Sequence, residues 1–211
     1  LDADLIMLGM GLNKSNVYLL REAIEFGEKV DNVLLYLDID LFKIKLISTL
    51  KQKLNTLDNS FYLTVENCIR MIDDYIFICF ILGNDFLPHN IGIDLRYGGH
   101  DILLENYLQC YLTFKDFLVN TAKMKINNRF LYSLFHMLSS KEHEMAIKIQ
   151  QKRNKFKFYN KANDEFERRM ELIKNDPIIN NEEEKKVDFN DKCWKSQYYR
   201  EVMNIEDEDD I

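Results

Sequence analysis

Three aspartates offer the plainest chemistry in this sequence. The chain opens Leu1-Asp2-Ala3-Asp4-Leu5-Ile6-Met7 and later reads Gly83-Asn84-Asp85-Phe86-Leu87-Pro88-His89. Carboxylate oxygens on rigid elements are what hard divalent cations take as ligands. Several such groups around one point suit two-ion hydrolysis of a phosphodiester. If residues 1–5 form a strand, Asp2 and Asp4 point to one side of it. Two like charges that close repel unless a cation lies between them. The alternative is an acidic helix N-terminus, where carboxylates cap free N–H groups. Asp85 follows an apolar run and a Gly, which pins it at the rim of a core; the alternative is an Asx-turn. Three carboxylates are about half of a two-ion set, and Leu1 reads as the edge of a cut.

Other residues are weighed in the same way. Asp73 and Asp74 lie on the helix that leads to Asp85. One could orient a metal-bound water or a basic side chain; the alternative is a surface pair bridged to Arg70. Asp38-Ile39-Asp40 repeats the D-x-D spacing but precedes an ordinary amphipathic helix, so one member is expected to cap it. His89 could reach a phosphate, and His100, His136 and His143 show no zinc spacing. No G-x-S-x-G, P-loop or G-x-G-x-x-G occurs, which removes triad-hydrolase, NTPase and dinucleotide readings. Residues 152–161 (KRNKFKFYNK) could track a single strand by charge and stacking, but a solvated helix face is the preferred reading. Trp194 with Tyr198 and Tyr199 reads first as a packing anchor and second as a base-stacking platform.

The elements that must position these residues follow from periodicity. Residues 4–10 suit a short helix, unless residues 1–5 continue a strand. Asn16–Leu20 and Val33–Leu37 suit strands, with a turn at Asp31-Asn32. From Leu41 the spacing is helical, and 55–60 reads as a loop. Residues 61–82 form a long helix stopped by Gly83, with Pro88 preventing its resumption. Asp101–Leu112, Asn128–Ser139 and Lys141–Lys155 are further helices. Residues 151–192 are strongly charged and read as exposed helix and linker, and 206–210 as an acidic tail. Strand and helix alternate in residues 1–90 and helices alone follow. This predicts an α/β core over 1–120 and a helical extension over 121–211.

Composition sets the bounds. The 211 residues carry a net charge of −7, with 46% hydrophobic and 12% aromatic residues. That suffices for a core and argues against a generally basic nucleic-acid coat. A carboxylate-lined ion site is itself acidic, so nucleic acid stays open as a ligand. Four widely spaced cysteines show no metal-ligand pattern and suit reduced thiols in an intracellular protein. No signal peptide or membrane-spanning run is read.

Taken in order, LDADLIMLG, VYLLREA, IDDYIFICFILGNDFLPH, IDLR with a following Gly pair, DILLENY and CWKSQYYR resemble the Xrn-type 5′→3′ exoribonuclease family. GNDFLP also resembles the Gly-x-Asp element of flap endonucleases. The resemblance implies a PIN/flap-endonuclease-like α/β nuclease core, of which 1–120 would be the C-terminal part. It implies magnesium or manganese, two ions, and hydrolysis of single-stranded RNA with a 5′ monophosphate. It assigns Asp2, Asp4 and Asp85 as metal ligands and catalytic residues. Trp194 matches the Trp of a G-W-K-x-R-Y-Y-like element, with Cys193 in place of Gly and Ser196-Gln197 in place of the middle pair. The family's first acidic residues and its 5′-phosphate pocket would precede Leu1, so residues 1–211 alone are expected to be inactive. The alternatives are a flap-endonuclease-like DNase and a degenerate nuclease domain serving as a scaffold. Nuclear and cytoplasmic placement are both open.

Overall fold

The computed structural model describes residues 3–25, 28–60, 62–83, 90–93, 95, 98–159 and 187–205. Contacts group the chain into two units, one from Leu1–Ile81 with His100–His136, the other from Leu82–Gly99 with Met137–Ile211.

The first unit opens with helix α1 (Ala3–Gly11), then strands β1 (Tyr18–Glu25) and β2 (Glu28–Asp38), and helices α2 (Ile39–Leu57) and α3 (Val65–Ile81). Strands separated by two residues can pair only antiparallel, and β1 and β2 do so, Leu20 opposite Tyr36 and Glu22 opposite Leu34. Asp38 starts α2 by accepting the Leu41 N–H at 3.0 Å, while Asp40 accepts the Asn16 N–H at 2.8 Å. The D-x-D at 38–40 is thus a cap plus a loop anchor. Thr64 caps α3 through the Asn67 N–H at 3.2 Å. Met71, Asp74, Tyr75 and Ile78 form its buried stripe, the i, i+3/i+4, i+7 spacing of an amphipathic helix. A Cβ on Gly9 would lie 3.3 Å from Ile39 Cδ1 and 3.8 Å from Leu19 Cδ1. A side chain at residue 9 would therefore require Ile39 to shift by a few tenths of an ångström.

Helix α4 (Gly99–Phe114) supplies buried Leu103, Leu104, Tyr107 and Leu108. A small hairpin follows, β3 (Val119–Asn120) against β4 (Lys125–Ile126). The Asn120 side chain caps the 3-10 turn between them. Helix α5 (Asn128–Tyr159) begins at Asn127, whose Oδ1 accepts the Phe130 N–H at 3.2 Å. Phe130 packs on Tyr107 with ring centroids 5.6 Å apart. The core of the second unit joins Ile91, Met145, Ala146, Val187, Phe189, Trp194 and Tyr198. Helix α6 (Trp194–Met203) carries the last two of these.

Several expectations are corrected. The described residues are mainly helical, with two separate two-stranded antiparallel sheets and no parallel pair. The strand–helix alternation in 1–90 is real, but its two strands make a hairpin, so a nuclease-type parallel sheet does not appear among the described residues. Asp31-Asn32 lies inside β2, not at a turn. Residues 55–57 continue α2. The two helices expected over 128–155 are one: Ser140 bonds its hydroxyl to the Met137 carbonyl at 2.8 Å, which satisfies it without breaking the helix.

The β1–β2 hairpin leaves apolar side chains open. Leu20, Val33, Leu34, Leu35 and Tyr36 are 44–69% exposed. Tyr18 and Tyr36 meet edge to face at 5.9 Å.

Candidate active site

Of the three aspartates expected to hold metal, Asp4 is the one the structure describes. It stands in the first turn of α1, partly buried. The backbone there is helical, so the strand alternative does not apply from residue 3 onward. Asp2, Asp85 and His89 lie outside the described residues. Among the described residues no three His, Cys, Asp or Glu side chains come together as a metal site. Helix α1, which carries Asp4, packs on α3, and a Cβ on Gly11 would meet Ile76 Cδ1 at 3.9 Å. Helix α3 ends at Ile81, and Gly83 follows with φ +101°. That conformation is open to glycine and costly for residues with a Cβ, and it turns the chain just before Asp85.

What holds α3 in place is Asp74. Its side chain is fully buried. One carboxylate oxygen accepts the Tyr107 hydroxyl and the Leu118 N–H, each at 2.8 Å, and the other accepts the Val119 N–H at 2.8 Å. Burial raises its pKa and the three donors and Arg70 offset only part of that, which leaves it at about 6. Asp73 accepts the Thr121 hydroxyl at 3.0 Å. Arg70 lies 4.0 Å from the Phe117 ring centroid and 4.0 Å from Asp116. Both members of the Asp73-Asp74 pair thus bond to the segment after α4, fixing the helix that leads to Gly83. Nearby, the Tyr75 hydroxyl meets His100 Nε2 at 3.1 Å. Burial pushes the Cys79 thiol up to about 11, so it is not a nucleophile at neutral pH.

The aromatic element of the second unit is also explained by packing. Trp194, expected as a possible RNA contact, is 3% exposed. Its ring stacks on His143 with centroids 6.3 Å apart and meets Phe189 edge-on at 5.5 Å. Glu142 on α5, which sequence reasoning missed, ties α6 down. It is 4% exposed, accepts the Tyr199 hydroxyl at 2.7 Å and pairs with Lys195 Nζ at 2.9 Å. Removing Trp194 leaves a cavity in this core. Trp194→Ala is expected to cost roughly 3–5 kcal/mol, read as a lower urea midpoint.

A family model described as the Xrn1 helical domain matches residues 65–211. The chain belongs to the Xrn family. The match opens at the first residue of α3 and runs through α6. Similar proteins carry consistent names. The chain is 40% identical over 63 residues to a 5′-3′ exoribonuclease 2 of Arabidopsis thaliana, covering 30% of this chain and 6% of that protein. It is 26% identical over 199 residues to a 5′-3′ exoribonuclease 2 homolog of Drosophila melanogaster, covering 79% and 21%. It is 34% identical over 124 residues to 5′-3′ exoribonuclease 1 of Saccharomyces cerevisiae, covering 57% and 8%. This Xrn chain therefore spans at most about a fifth of the length of these relatives. Among the described residues, no helix is long and apolar enough to cross a membrane.

Proposed function

We propose that this Xrn-family chain forms part of a metal-dependent 5′→3′ exoribonuclease that releases mononucleotides from 5′-monophosphorylated single-stranded RNA. The observation that carries the reading is the family match over 65–211, a stretch that includes Asp85 and Trp194, beside relatives named as 5′-3′ exoribonucleases. Asp2, Asp4 and Asp85 are the proposed ligands, and their carboxylate oxygens suit magnesium or manganese. Two such ions, when bound, would activate the attacking water and stabilise the leaving oxygen. Asp73 and Asp74 act at a distance, by holding α3, the helix that precedes Gly83. His89 is the proposed phosphate contact. Trp194, enclosed in its core, shapes the RNA path by holding α6 on α5; direct stacking on a base would require its ring to leave that core.

The test uses two proteins, residues 1–211 alone and a protein extended to the length of its relatives. Each is incubated with 5′-monophosphorylated single-stranded RNA and magnesium. Stepwise release of 5′ mononucleotides by the long protein, with little by residues 1–211, is the expected result. Cleavage of DNA flaps in place of RNA would move the assignment to a structure-specific DNase. Inertness of the long protein on both substrates would favour a scaffold.

A further inference from the structure

A small pocket on the first unit has no aspartate in its lining and is not used in the reading above. It encloses about 110 Å³ and is lined by Lys51, Asn55, Tyr62 and Leu63. Lys51 and Asn55 are one turn apart on α2 and face the same opening. Leu63, 5% exposed, forms its apolar floor, and Tyr62 stands 83% exposed at its lip. Two lysines within one turn of α2 differ in their ion pairing. Lys53 is neutralised by Asp101 at 3.7 Å and Glu105 at 3.9 Å. Among the described residues no carboxylate pairs with Lys51, and Asn55 makes no side-chain hydrogen bond. A lysine, an asparagine and an exposed tyrosine therefore line one hollow together with buried Leu63.

Size decides what kind of ligand fits. Pockets for whole small molecules run to roughly 300–1,000 Å³, so this one holds a fragment of something longer. A cation for phosphate and an aromatic face for a base are the two parts of single-strand recognition that ignores sequence. Given the reading of the chain as part of an exoribonuclease, on which this inference rests, we propose that the pocket is an auxiliary RNA subsite. It takes one nucleotide unit of single-stranded RNA, with the phosphate on Lys51, the base against Tyr62 and a base-edge hydrogen bond to Asn55.

Binding is measured in EDTA, so no turnover is required. Residues 1–211 are titrated against a fluorescein-labelled 12-nucleotide oligouridylate by anisotropy, at several salt concentrations. Tyr62→Ala is expected to weaken binding about five- to tenfold, and Tyr62→Phe to leave it unchanged. Lys51→Gln should lower the slope of log affinity against log salt by about 0.7. Lys45→Gln makes the same charge change on α2 outside the pocket and should leave affinity and slope as they are. Equal effects from Lys45→Gln and Lys51→Gln, or wild-type binding by Tyr62→Ala, would overturn the subsite. So would failure of the folded wild-type chain to bind, with folding checked by a cooperative melt. Loss of the nuclease reading shows instead as absent hydrolysis by the long protein, which this assay does not measure.

Discussion

Asp74→Ala is expected to lower the unfolding free energy by roughly 3 kcal/mol or more. The substitution leaves the Tyr107 hydroxyl and the Leu118 and Val119 N–H groups without their acceptor in a buried site. Each stranded donor costs about 1–3 kcal/mol, and water entering the vacated space recovers part of that. Asp74→Asn should lose less, because it keeps one oxygen acceptor, but its NH₂ faces a backbone donor. The pH dependence has a definite sign. Burial raises this carboxyl from 3.8 to about 6 in the folded state, so the fold binds the proton more readily than the unfolded chain. The group's favourable contribution is complete below pH about 4 and is lost as pH rises through 6, a change of roughly 3 kcal/mol. Urea unfolding of the wild type and Asp74→Asn at pH 4.5 and 7.5 reads this directly. The wild-type advantage should shrink at the higher pH; an advantage that grows would mean the three donors outweigh burial.

Asp4→Ala and Asp85→Ala, made in the protein extended to the length of its relatives, should each reduce magnesium-dependent RNA hydrolysis on the order of a thousandfold. Each removes a proposed ligand, and stabilisation of developing charge by bound ions amounts to several kcal/mol. Stability in EDTA should be little changed, because the proposed ligand set would bring like charges together and losing one would relieve repulsion. Asp38→Ala is the matched control. It deletes the α2 cap, whose carboxylate accepts the Leu41 N–H, at a stability cost of about 1 kcal/mol, and should leave turnover nearly intact. The comparison is of initial rates with melting curves in parallel. If Asp38→Ala were as inactive as Asp85→Ala, the ligand set would have been drawn from the wrong D-x-D.

The sequence was most legible where local chemistry decides the outcome. Apolar spacing marked α2, α3 and α4, Gly83 marked the end of α3, and the Asp38-Ile39-Asp40 pair marked the start of α2 without showing which member caps it. It was least legible where distant partners decide. Asp73 and Asp74 are adjacent and chemically alike; only donors 33 to 45 positions downstream of Asp74 bury the one and leave the other at the surface. Glu142 sits among charged residues on α5 and has no local mark of burial, because Tyr199, its hydroxyl partner, lies 57 positions away. The polar start of β2 lacks the alternation that signals a strand, and it is held by pairing with Ile24 and Glu25 of β1. Of the metal set, Asp4 could be placed, while Asp2 and Asp85 fall outside the described residues.

The β1–β2 ribbon also governs how copies of this molecule behave toward one another in concentrated solution. A two-stranded ribbon has two edges, each a row of backbone groups on which another strand can form. Residues 33–37 (VLLYL) carry no charge, and 33–36 are exposed in succession, so apolar side chains stand on both faces at once. Short β-prone stretches without a charge or a proline are the segments that nucleate intermolecular sheets. Wherever this ribbon is left uncovered, colloidal stability rests on the repulsion between chains of net charge −7, and that repulsion weakens as added salt screens it.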